Sequence, residues 1–83
     1  MFNLTIEKAM EIIQEEELKY FNWYDDHDIK SNEVGIRKKA SKWFVYTSDE
    51  RANPISGKEF ENESEALDNF IKRLRAINKF NGL

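Results

Sequence analysis

The chain has no cysteine, one proline, one histidine and three glycines among its 83 residues. Without cysteine there is no disulfide framework, no thiolate metal site and no thiol nucleophile, and the missing staples point to a reducing compartment. Gly35, Gly57 and Gly82 are too scattered to form a loop that cradles a phosphate. No segment approaches the roughly 20 apolar residues of a transmembrane helix. The N-terminal Met-Phe-Asn-Leu-Thr-Ile-Glu-Lys has neither a basic n-region nor a small-residue cleavage site. A cytoplasmic protein without a membrane partner is the expectation. A dominant basic field is also lacking: the net charge is −3, which argues against a general nucleic-acid binder and favours basic partners.

What is present fits one small domain spanning 1–83, because a chain this short falls below the usual size of a single share. Aromatic residues make up 13% of it, too many for a disordered segment. Ile6, Ala9, Met10 and Ile13 recur at helical spacing between about Thr5 and Glu17, with Thr5 as N-cap. Leu18 to Tyr24, Glu33 to Ala40 and Lys42 to Ser48 read as strands, the last rich in aromatic and β-branched residues. Arg51 to Gly57 reads as a turn, and Lys58 to Glu61 as a short edge strand. Asn62 and Glu65 form a capping box for a final helix with Ala66, Leu67, Phe70, Ile71, Leu74 and Ile77 along one stripe. The predicted fold is α+β, in the order α-β-β-β-(β)-α, with two helices packed on a three- to four-stranded antiparallel sheet.

Charge is distributed in blocks. Residues 1–35 hold nine acids and three bases, 36–48 four bases, 49–68 seven acids and two bases, and 69–83 four bases. Such alternation suits a solvated surface, but the run Glu15-Glu16-Glu17 stands out, since acids at a helix C-terminus oppose its dipole. Either the helix ends early, or a base such as Lys19 or Lys39 compensates, or these carboxylates join Asp25, Asp26 and Asp28 in an acidic patch that steers a basic partner. Seven of the eleven aromatics lie in the predicted sheet. Alternation sets Phe21 and Trp23 opposite Tyr20 and Tyr24, and Trp43 opposite Phe44 and Tyr46, which leaves one face aromatic and open to a partner.

Chemistry is sparse. His27 within Asp25-Asp26-His27-Asp28 is the one candidate metal or acid/base group, and adjacent turn residues rarely converge on one ion without ligands from elsewhere. The acids do not follow a calcium-loop spacing, and no serine sits in a nucleophile elbow. No enzyme, cofactor, metal or small-molecule ligand is expected. The element order matches a double-stranded-RNA-binding domain, yet its phosphate-gripping position here reads Glu63-Ser64-Glu65-Ala66, which would repel a phosphate.

The stretch Trp43-Phe44-Val45-Tyr46-Thr47-Ser48-Asp49-Glu50-Arg51-Ala52, with Ile55-Ser56-Gly57 and Phe60-Glu61-Asn62-Glu63-Ser64-Glu65-Ala66-Leu67, resembles the small immunity proteins of bacterial polymorphic toxin systems, in particular the immunity protein 59 family. Glu17-Leu18-Lys19-Tyr20-Phe21 and Asn32-Glu33-Val34-Gly35-Ile36 are similar too, so the likeness covers nearly the whole chain. The resemblance implies a cytosolic α+β protein that binds and neutralises a cognate toxin domain and carries no catalytic residues. Candidate partner-binding residues are Glu15, Glu16, Glu17, Asp25, Asp26, Asp28, Asp49 and Glu50, with a structural role for Asp49-Glu50-Arg51 as the alternative. A small adaptor docking on another protein is the competing reading, ahead of an RNA binder.

Overall fold

The computed structural model describes residues 4–81. Helix α1 spans Ile6–Glu15. Thr5 caps it as expected, with extended backbone and Oγ1 accepting the Lys8 N–H at 3.1 Å. Its buried face carries Ala9 and Ile13. Helix α2 spans Glu63–Asn81, and its cap is again the predicted one: Asn62 Oδ1 accepts the Glu65 N–H at 2.8 Å. Ala66, Leu67, Phe70, Ile71 and Leu74 are all buried along one stripe, so the 3.6-residue period marks the face that meets the sheet. The two helices run parallel, tied by Leu4 N–H to Ser64 Oγ at one end and by Glu16–Arg75 and Lys19–Asn78 contacts at the other.

The four strands lie in the order β1 (Phe21–Trp23), β2 (Val34–Lys39), β3 (Lys42–Ser48) and β4 (Pro54–Phe60). The expected α+β order holds, and β2, β3 and β4 form an antiparallel meander. One pair departs from the antiparallel expectation: β1 joins β2 in parallel, Phe21 opposite Val34 and Trp23 opposite Ile36. Strand β4 is longer than its predicted Lys58–Glu61 and begins inside the Pro/Gly patch. Pro54 is tolerated as the first residue of an edge strand, and Ser56, at φ 53°, lies opposite a register shift between Val45 and Thr47, the signature of a bulge.

Register separates the two faces. Phe21, Trp23, Val34, Ile36 and Val45 meet α2, with Phe70 edge-on to Phe21 at 6.4 Å and tilted against Trp23 at 5.7 Å. Asn22, Gly35, Arg37, Phe44 and Tyr46 point the other way, where no helix packs. Tyr46 is nonetheless fully buried. The parallel β1–β2 pair requires a crossover, and residues 24–33 supply it without a helix, passing over this face: Asn22 Nδ2 donates to His27 O at 2.9 Å. Two strand glycines make room for rings on the same face. A Cβ on Gly35 would lie 2.1 Å from Tyr46 Cζ, and one on Gly57 2.3 Å from Phe44 Cζ. The two rings stack at 6.2 Å, and the Arg37 guanidinium lies 5.0 Å above Tyr46. The expected split of Trp43 from Phe44 and Tyr46 therefore holds, but the face is covered at Tyr46. Tyr24 breaks the alternation, because at φ 52° the chain leaves the strand and its hydroxyl donates to Glu63 Oε2 on α2 at 2.6 Å.

Phe70→Ala should lower stability by about 2–5 kcal/mol, read by urea unfolding, since it empties the space between Phe21 and Trp23. Gly35→Ala should cost about 1–3 kcal/mol in the same assay by displacing the Tyr46 ring.

Candidate functional site

The eight predicted acidic residues divide into two groups. Four are spent inside the domain. Glu16 is the C-cap of α1 and takes a two-pronged bond from Arg75, Nε to Oε1 at 3.0 Å and Nη2 to Oε2 at 2.6 Å. That bond holds the Glu16 carboxyl below the usual range. The compensating base is thus Arg75, not Lys19 or Lys39, and the helix ends within the acidic run. Asp25 pairs with Arg37 at 3.0 Å, and Asp26 with His27. Asp49 Oδ1 accepts the N–H groups of Asn53 and Arg51, both at 2.9 Å, which closes the β3–β4 turn and lowers its carboxyl pKa. The turn is therefore fixed by Asp49 acting on backbone N–H groups, not by an Arg51 ion pair. The side chains of Glu15, Glu17, Asp28 and Glu50 are exposed and form no ion pair or hydrogen bond among the described residues.

The same crossover that covers Tyr46 gathers the polar groups. Glu33 is buried, accepts the Lys30 N–H at 2.9 Å and faces His27 Nε2 at 2.9 Å. His27 Nδ1 faces Asp26. A carboxylate at each ring nitrogen favours the protonated ring; the Glu33 bond chiefly raises the His27 pKa, against a smaller opposing effect of burial. Ser48 Oγ donates to the Lys30 carbonyl at 2.6 Å and accepts the Glu33 N–H at 2.9 Å, so the hydroxyl fastens the loop and does not face the imidazole. Asn22 Nδ2 also reaches Tyr46 Oη at 3.3 Å, and burial raises the Tyr46 pKa. Among the described residues no group of three or more His, Asp or Glu side chains is placed to hold a metal ion. No helix there is long and apolar enough to cross a membrane.

One end of the sheet differs from the rest. Tyr20, Asn32 and Asp49 line up there, since Val34 N–H donates to Tyr20 O at 2.9 Å and Asn32 N–H to Asp49 O at 3.0 Å. The α1 terminus, with Glu15 and Glu17, and the turn holding Glu50 reach the same end. Two of the three large exposed apolar side chains among the described residues, Tyr20 at 46% and Ile55 at 47%, are also there. Asp28 lies on the crossover instead, beside Asp25 and Arg37 in a separate hollow. Glu17, Tyr20, Asn32 and Ala52 all have positive φ, which no sequence pattern announced for a tyrosine or alanine.

The domain is a small α+β fold whose polar side chains fasten its loops, and Glu15, Glu17 and Glu50 lie exposed at one end of it. The chain belongs to the immunity protein 59 family, whose model matches residues 2–82. No curated protein and no solved structure matches it.

The folded-state pKa of His27 lies above its ordinary 6.5. Its contribution to stability is therefore full below about pH 6.5 and is lost as pH rises through the folded value. Chemical denaturation across pH 5–9 should show this decline, and His27→Gln should flatten it; a wild-type curve that rises through that window would contradict the bonding to Glu33 and Asp26.

Proposed function

We propose that the protein binds a cognate bacterial toxin domain one-to-one and neutralises it, acting in the cytoplasm and without chemistry of its own. Membership of the immunity protein 59 family carries this reading, since immunity implies a toxin. The surface supports it: Glu15 and Glu17 project from the end of α1 without internal partners, and Glu50 from the β3–β4 turn. Unpaired carboxylates of this kind attract a basic partner at long range, as a toxin with a cationic cleft would require. Asp28 extends the acidic surface onto the crossover. Glu16, Asp25, Asp26 and Asp49 support the surface from within their ion pairs and hydrogen bonds.

Co-expression in a test bacterium with the C-terminal part of whatever large protein the adjacent upstream gene encodes should restore growth and yield a one-to-one complex. Toxicity without rescue would count against the immunity role and favour a small adaptor protein. Within the complex, Glu15→Lys with Glu17→Lys should slow association about tenfold at low salt and leave unfolding nearly unchanged, because neither side chain holds the fold. Including Glu16→Lys should also destabilise the domain by breaking the Arg75 pair, typically up to about 1 kcal/mol for an exposed bridge.

A further inference from the structure

Tyr20 has φ 67°, a left-handed conformation that is costly for a bulky side chain. The backbone around it is held in place. Asn78 brackets Lys19, its Oδ1 accepting the Lys19 N–H and its Nδ2 donating to the Lys19 carbonyl, both at 2.7 Å. On the other side Val34 N–H fixes the Tyr20 carbonyl at 2.9 Å. The side chain is 46% exposed, and among the described residues its hydroxyl makes no hydrogen bond and its ring no ring contact. It stands between two hollows. One, of about 400 Å³, is lined on its far side by Phe21, Lys30 and Glu33; the other, of about 350 Å³, by Glu16, Glu17 and Asn78.

A strained backbone that displays an otherwise idle tyrosine is a pre-organised contact. Tyrosine is among the residues that most often carry binding energy, because a rigid ring buries much area at small entropic cost. We propose that Tyr20 is the anchor of the toxin-binding surface, its ring seated in an apolar pocket of the toxin, with the ridges of that pocket entering the two hollows. The proposal rests on the immunity reading. Charge identifies the occupant further: Glu15 and Glu17 at the end of α1 call for bases on the toxin, and Lys19, which lines both hollows, with Lys30 in the first, calls for an acid close to the ring.

The test measures binding of purified variants to the upstream-encoded C-terminal toxin domain by calorimetry, beside their thermal melts. Tyr20→Gly should weaken binding at least about 30-fold, the scale of a hot-spot loss, while melting at or above the wild-type temperature, since glycine accepts this φ freely. Tyr20→Asn, which also tolerates the left-handed region, should give the same contrast. Tyr20→Phe should bind within about fivefold of wild type, and so should Ile6→Ala, an exposed apolar change at the far end of α1. Unchanged affinity of the glycine and asparagine variants, with wild type binding normally, would overturn the anchor alone. Failure of the wild type to bind would overturn the immunity reading and the anchor with it.

Discussion

A tyrosine ring lying flat over a glycine on the unhelical side of the sheet is the contact on which the architecture depends. Strand β1 runs parallel to β2, and the connection between them has only residues 24–33 to return across the sheet. A helix in that position would supply its own hydrogen bonds and an apolar face. This crossover has neither, so the sheet must offer it a floor that is part apolar and part hydrogen-bonding. Tyr46 over Gly35, with Phe44 stacked beside it and Arg37 above, is that floor. Asn22, Glu33 and Ser48 then satisfy the loop backbone, and the His27 ring joins Glu33 to Asp26.

The polar groups of the domain follow from the same arrangement. Three connections that lack regular structure are fastened by side chains acting on backbone: Asp49 in the β3–β4 turn, Asn78 at Lys19, and Asn22, Glu33 and Ser48 on the crossover. This division of labour leaves the side chains of Glu15 and Glu17 at the end of α1 and of Glu50 on the β3–β4 turn without internal partners among the described residues. It also explains where backbone strain falls. All the positive φ values among the described residues belong to residues other than glycine, while Gly35 and Gly57 are used for the space they leave and not for their conformational freedom.

Local signals were legible in the sequence where one element decides its own shape. Thr5 and Asn62 cap their helices as read, the Ala66–Leu74 stripe is the buried one, and β3 has the predicted bounds. What escaped depends on residues far apart. The parallel sense of β1 is set by the crossover packing on Tyr46, which nothing in Leu18–Tyr24 encodes. The start of β4 was hidden because Pro54 and Gly57 are turn-formers that an edge strand with a bulge also accepts. The acidic run was visible, but not that Arg75, 59 positions along the chain, takes Glu16 out of it. Tyr20 looked like an ordinary strand aromatic, since its φ is imposed by Asn78 and Val34 from other elements.

Strand β4 closes the sheet with its outer edge unpaired and nearly every residue exposed. Pro54 removes a donor from that edge, the Ser56 bulge twists it, and Lys58 and Glu59 place charges on its two faces. A flat edge would recruit another copy of itself and grow into fibres as concentration rose. This guarded margin opposes such growth, so the sheet ends at β4 without offering a template to a second copy.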